Sequence, residues 1–172
     1  MATYLNIDGD RLEVIAADFA GTEKQIDAAC RRAVSKLVRH LKVVVLRNLS
    51  MLTGVQQSVL RNRIFVNTQN SRNIAVMWIG TYSVPLRKMN PKQTRTGVSA
   101  GGVDRAHAWI FKINGNPKEV YKRTSKAKYP ILKQQVDLKT AVNLVLQADV
   151  MKAFDRKFYT YFEREMKWES NK

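Results

Sequence analysis

Cysteine is almost missing. Cys30 is the only one in 172 residues, so no intrachain disulfide can form, and the chain fits a reducing compartment. Histidine is nearly as scarce. His40 and His107 fall on different predicted elements, neither at a metal-ligand spacing, and a lone cysteine cannot build a zinc site. No apolar run approaches the roughly 18 residues of a membrane span. The longest candidate, Val43-Val44-Val45-Leu46, is closed by Lys42 and Arg47. The first ten residues carry acids and no apolar stretch, so no secretory leader is expected. Internal repeats and low-complexity tracts are absent. No serine stands in Gly-x-Ser-x-Gly and no carboxylate pair stands out, so no enzyme, cofactor or metal is expected.

Acids are the other shortage. Asp and Glu number 14 against 30 Lys and Arg, giving a net charge of +16 and a pI near 10.2. Such a field favours a polyanion or an acidic protein surface. The cations are densest between Arg87 and Lys133, where Asp104 and Glu119 are the only acids. Arg87, Lys88, Lys92, Arg95, Arg105, Lys122, Arg123, Lys126 and Lys128 form the candidate polyanion-facing set. No zinc finger, helix-turn-helix or RNA-recognition motif accompanies them, so contact with DNA should be sequence-independent and salt-sensitive.

The apolar fraction of 45% is enough for a real core, and the length predicts one domain over residues 1–172. The patterning predicts an α+β fold. A small mixed or antiparallel sheet is flanked by a long N-terminal helix and a C-terminal helix, with a long basic loop. Arg11–Phe19 reads as a short helix. Thr22 caps a long one, with Ile26, Cys30, Ala33, Leu37, Leu41 and Val44 as its stripe, ending at Thr53-Gly54. Asn73–Tyr82 and Ala106–Ile113 are apolar on both faces and read as paired central strands. Asn114-Gly115 signals a hairpin, and Pro130 places Tyr129–Leu132 at a sheet edge. Asp137 is the expected N-cap of a final helix whose stripe includes Phe154, Phe158 and Phe162.

Two segments tempt a chemical reading. Asp8-Gly9-Asp10 lacks the further oxygen ligands of a calcium loop and reads as a turn. Thr94–Gly102 offers glycines and hydroxyls beside Arg95, but the closing Lys-Ser/Thr of a phosphate loop is missing. Residues 88–105 have few apolar side chains to bury and are expected to form a flexible basic loop.

Taken in order, several short motifs resemble the phage minor tail protein Z family, the tail-completion proteins of long-tailed phages and prophages. They are Ala29-Cys30-Arg31-Arg32-Ala33-Val34-Ser35 and Gly54-Val55-Gln56-Gln57-Ser58-Val59-Leu60-Arg61. Val84-Pro85-Leu86 follows a strand ending at Gly80. Thr96-Gly97-Val98-Ser99-Ala100-Gly101-Gly102, Ala108-Trp109-Ile110-Phe111, Val120-Tyr121-Lys122-Arg123 and Tyr129-Pro130-Ile131 complete the series. The resemblance covers roughly Thr22 to Glu165; it departs at Lys133–Asp137, where members often carry Gly-Pro. It implies a non-enzymatic structural virion protein at the head-proximal end of the tail, present in the host cytoplasm during assembly. Such a protein is a ring-forming neck adaptor, a homo-oligomer and most simply a hexamer. It joins the tail terminator and head connector, lets genomic DNA pass without reading its sequence, and touches no membrane. The subunit contact is expected at Ile26, Cys30 and Leu37 on one side and Phe154, Phe158, Phe162 and Trp168 on the other, since uncovered aromatic stripes mark contacts. The alternative reading is a stand-alone, sequence-independent nucleic-acid-binding protein.

Overall fold

A computed structural model describes residues 9–19, 22–69, 74–112 and 117–171. The fold is α+β, with a long N-terminal helix, several small antiparallel sheets and a C-terminal helix. The chain groups into two compact units, each drawn from separate stretches of sequence. Unit one comprises residues 1–45, 65–78 and 146–172, and unit two comprises 46–64 and 79–145.

Unit one is mainly helical. Helix α1 spans Gly9–Asp18, slightly ahead of the predicted range, so Gly9 and Asp10 begin a helix; the rest of that predicted turn lies outside the described residues. Helix α2 spans Glu23–Thr53, about 46 Å at 1.5 Å per residue. Thr22 caps it, but through a partner. Gln25 Oε1 accepts from both the Thr22 N–H and its hydroxyl, each at 2.9 Å, so the third helical side chain reaches back to the cap. Of the predicted stripe, Ala33, Leu37 and Leu41 are buried, whereas Ile26, Cys30 and Val44 are half-buried and Val45 is the buried residue at that turn.

The C-terminal helix runs on as expected but changes its winding once. Helix α4 (Lys139–Val145) passes through a π-helical turn, Leu146–Val150, into α5 (Met151–Ser170). Contacts from Gln25 to Glu169, Arg32 to Glu165 and His40 to Tyr161 run in opposite sequence directions, so α5 lies antiparallel to the first part of α2. Phe154, Phe158 and Phe162 stack along α5 at centroid spacings of 6.3 and 6.1 Å. The remaining element is a two-stranded arm, β1 (Ile64–Gln69) with β2 (Ile74–Ile79). This corrects the reading of Asn73–Tyr82 as a central strand paired with Ala106–Ile113. Alternate β2 side chains are exposed, and its partner is the preceding strand.

Unit two begins with the last turns of α2, where Leu46 and Leu49 are buried. Met51 and Leu52 in the last turn remain exposed. Gly54, at φ +68°, stops the helix, as expected at a left-handed C-terminal position. After α3 (Gln57–Arg61) come eight short strands. Strand β3 (Val84–Pro85) pairs with β10 (Gln135–Val136). Strands β4 (Lys92–Gln93), β5 (Gly97–Ala100) and β6 (Val103–Ala106) form one antiparallel sheet. Strands β7 (Ala108–Phe111), β8 (Glu119–Arg123) and β9 (Ile131–Lys133) form another. Strand β9 is the edge, as Pro130 requires. Asn114-Gly115 lies outside the described residues. The Asp137 carboxylate accepts from the Lys139 N–H at 3.3 Å at the start of α4.

Candidate polyanion interface

The segment expected to be a flexible loop, 88–105, is folded. Three short strands run through it, and Met89, Val98 and Ala100 are buried. Its glycines serve packing. A Cβ on Gly97 would fall 2.1 Å from the Arg105 carbonyl oxygen. Gly101 and Gly102 make the β5–β6 turn at φ +56° and +95°. A Cβ on Gly54 would stand 3.2 Å from the Gly101 carbonyl, so the turn sits against the end of α2 backbone to backbone. One hydroxyl that could have faced a phosphate is also engaged: the Thr94 hydroxyl donates to the Gly97 carbonyl at 3.0 Å. Gln93 joins the two sheets, its amide nitrogen donating to the Ala108 carbonyl at 3.2 Å and its oxygen accepting from the Ile110 N–H at 3.0 Å. It thereby supplies the hydrogen bonds a neighbouring strand would give β7.

The nine predicted cations all lie in unit two but are not equivalent. Arg87 Nε donates to Glu119 Oε1 at 2.9 Å, and Lys133 Nζ stands 3.9 Å from the same oxygen. The Glu119 side chain is buried, so Arg87 balances an internal acid. Arg105 is half-buried opposite Val98 and lines an open depression of about 350 Å³ with Leu52, Val103, Val136 and Leu144. Lys88, Lys92, Arg95, Lys126 and Lys128 are exposed, and Lys122 is half-buried. Arg123 is exposed and lies over the Trp109 ring at 5.6 Å, while Lys128 stands 5.8 Å from the Tyr129 ring. Lys122 and Arg123 close β8, and Lys126 and Lys128 follow in the bend before β9, so these four form the tightest grouping.

Charge divides unevenly between the units. Unit two carries sixteen Lys and Arg against Asp104, Glu119 and Asp137, a net of +13. Unit one carries fourteen against eleven acids, a net of +3. Some of the cations in unit one are spent internally. Arg32 Nε donates to Glu165 at 2.7 Å, Arg32 also pairs with Glu169 and Lys36 with Glu165, and Arg32 stacks over Trp168 at 4.6 Å. Burial raises the Glu165 carboxyl pKa, but hydrogen bonds from Lys36 and Arg32 outweigh it and hold the group below its usual range.

The residues expected at a subunit contact differ in burial within the chain. Phe158 and Phe162 are fully buried, Phe154 and Leu37 nearly so, and Ile26 and Cys30 are half-buried. Packing of α5 along α2 covers the aromatic stripe inside the chain. Trp168 alone of the set is well exposed, at 51%. Burial and the nearby Asp27 push the Cys30 thiol up, away from reactive thiolate character.

Arg63 escaped the sequence reading. It is 4% exposed, donates to the carbonyls of Tyr82 and Ser83, and lies over the Tyr82 ring at 3.8 Å. Burial without a carboxylate lowers its guanidinium pKa. Nothing in Arg61-Asn62-Arg63 distinguishes the buried arginine from the exposed one. Among the described residues, no three His, Cys, Asp or Glu come together as a metal-binding group. No described helix is long and apolar enough to cross a membrane. The chain has no match among protein-family models, curated proteins or solved structures.

Proposed function

We propose that the protein is a structural subunit of a phage tail, a tail-completion or neck adaptor at the head-proximal end. In this reading it works as a closed ring, a hexamer by the sixfold symmetry of a tail, between the tail terminator and the head connector. Genomic DNA passes it without being read. The ordered motifs from Ala29 to Ile131 support the assembly half of the reading. The observation that carries the DNA half is the concentration of net +13 in unit two, with Lys88, Lys92, Arg95, Arg123, Lys126 and Lys128 exposed. A conduit has to let its cargo slide, and phosphate contacts from flexible cations bind backbone without fixing sequence.

The same cations support a second reading, a stand-alone nucleic-acid-binding protein. The two differ in what deletion does. Loss of an adaptor leaves filled heads and finished tails that do not join, seen by electron microscopy of the lysate. Normal joined particles from the deletion, together with DNA affinity in the purified protein, favour the second reading.

A further inference from the structure

Phosphate contacts use the cations of the β7–β8–β9 sheet and leave its rings unexplained. Antiparallel register puts the side chains of Trp109, Tyr121 and Lys133 on one face, and strand alternation adds Phe111 and Arg123. Tyr121 is buried and Trp109 half-buried, with Arg123 over the tryptophan ring at 5.6 Å. Phe111 is instead 54% exposed. Tyr129, 67% exposed, stands just ahead of β9, whose first residue Ile131 pairs with Arg123, and Lys128 Nζ lies 5.8 Å from the Tyr129 ring. The one acid in the three strands, Glu119, has a buried side chain met by Arg87 and Lys133. That acid is engaged internally, so the outward charge of the face is positive.

We propose that this face, with the Tyr129 edge beside it, binds single-stranded nucleic acid, stacking bases on Phe111 and Tyr129 and holding phosphates at Arg123 and Lys128. Charge and ring exposure select the ligand together. Unit two contains the whole sheet and carries a net +13, which draws a polyanion. An exposed ring gains by being covered with another apolar surface, and a phosphate cannot supply one. A duplex keeps its bases paired and stacked inside, so it meets the cations alone. An unpaired strand brings both, a flat base for a ring and a phosphate beside it. Every base has such a flat face, so the binding tolerates any sequence. Trp109 takes no base, because Arg123 lies over its ring; it positions that cation. The inference rests on the polyanion half of the function proposed above and names the form of polyanion this sheet prefers. A passing duplex is not held, since its bases never reach the rings.

The test is fluorescence anisotropy of the full chain with labelled strands of about 20 nucleotides, longer than one small fold covers. The probes are oligothymidylate, oligouridylate and an abasic deoxyribose-phosphate strand, which keeps the phosphates and lacks the bases. At least one base-bearing strand should bind about tenfold or more tighter than the abasic one, and the tighter of the two names DNA or RNA as the source. The variant Phe111→Leu/Tyr129→Leu keeps charge and apolar character at two exposed positions, so circular dichroism and melting should match the wild type. It should lose at least about tenfold in affinity for the base-bearing strand and bind the abasic strand unchanged. If the double variant melts earlier, Phe111→Leu alone carries the comparison, with an expected loss of about fivefold. Base-bearing strands bound no tighter than the abasic one overturn the proposal and leave the rings to a protein partner. Leucine variants that bind those strands like the wild type do the same. In both cases binding of the abasic strand and of duplex DNA persists and the polyanion reading stands. A chain that binds none of these probes at low salt removes that reading together with this one.

Discussion

Two single positions in unit two carry more of the fold than their types suggest. Gly97 lies where β5 crosses Ala106, and a methyl group there would overlap the Arg105 carbonyl at 2.1 Å. Backbone cannot move that far without breaking the ladder. Gly97→Ala should therefore cost about 3 kcal/mol, the upper end for overpacking, and lower the urea midpoint with it. Arg63 is the second. Its guanidinium satisfies two carbonyls and covers a tyrosine face, with no acid involved. Arg63→Met should cost about 2–3 kcal/mol, because buried acceptors lose a charged donor. Arg63→Lys should recover less than half of this, since an ammonium cannot span both carbonyls while stacking on the ring. Equal stability of the methionine variant and the wild type in urea denaturation would contradict this role.

Among elements, the α2–α5 pair is held by burial and by one ionic cluster whose pH dependence has a definite sign. Glu165 and Glu169 have side chains only 6% and 9% exposed, while their partners Arg32 and Lys36 reach solvent. The Glu165 pKa is depressed in the folded state. Its contribution is therefore present above the unfolded carboxyl value, about 4.3, and is lost as pH falls through the folded one. The melting temperature of Glu165→Gln should lie below wild type at pH 7, and the two curves should converge below about pH 4. A constant gap across that range would assign the cluster no part in acid sensitivity. These helices were legible in advance because period 3.6 runs through Ala33, Leu37 and Leu41, and through Phe154, Phe158 and Phe162. The β7–β8–β9 sheet was legible in part, from the apolar run over Ala108–Phe111 and from Pro130 beside an edge strand. The β4–β6 sheet was not, because strands of two to four residues are too short for an alternation to register, and these mix lysine, glycine and hydroxyl side chains in the composition of a loop. Their order comes from contacts distant in sequence, such as Gln93 on β7 and Gly54 on the Gly101 turn. Strand β2 misled in the opposite sense. Apolar residues on both faces usually mean a central strand, whereas here one face is left open on an arm. The aromatic stripe was read from spacing correctly, but spacing alone does not say whether a stripe faces its own chain or another.

At the scale of the molecule, the uneven charge is the property with the most direct consequence. Unit two holds sixteen of the thirty Lys and Arg with three acids, so most of its cations cannot be compensated within it. A polyanion relieves that repulsion and releases its own counterions, which makes binding steeply salt-dependent. The grouping Arg123, Lys126 and Lys128 is exposed and has no carboxylate partner among the described residues. Arg87 differs: it neutralises buried Glu119, and its removal leaves that acid with Lys133 at 3.9 Å. The expected result separates the two. With duplex DNA of mixed sequence, log K should fall linearly with log salt, and each phosphate contact removed should lower the slope by about 0.9. The triple variant Arg123→Ala/Lys126→Ala/Lys128→Ala should lose two to three such contacts while melting like the wild type. Arg87→Ala should instead melt earlier and keep its slope to within about one contact. Fluorescence anisotropy between 50 and 300 mM salt, with two unrelated DNA sequences, reads all of this. A strong preference for one sequence, affinity unchanged by salt, or a triple variant with the wild-type slope would each place the DNA-facing surface elsewhere.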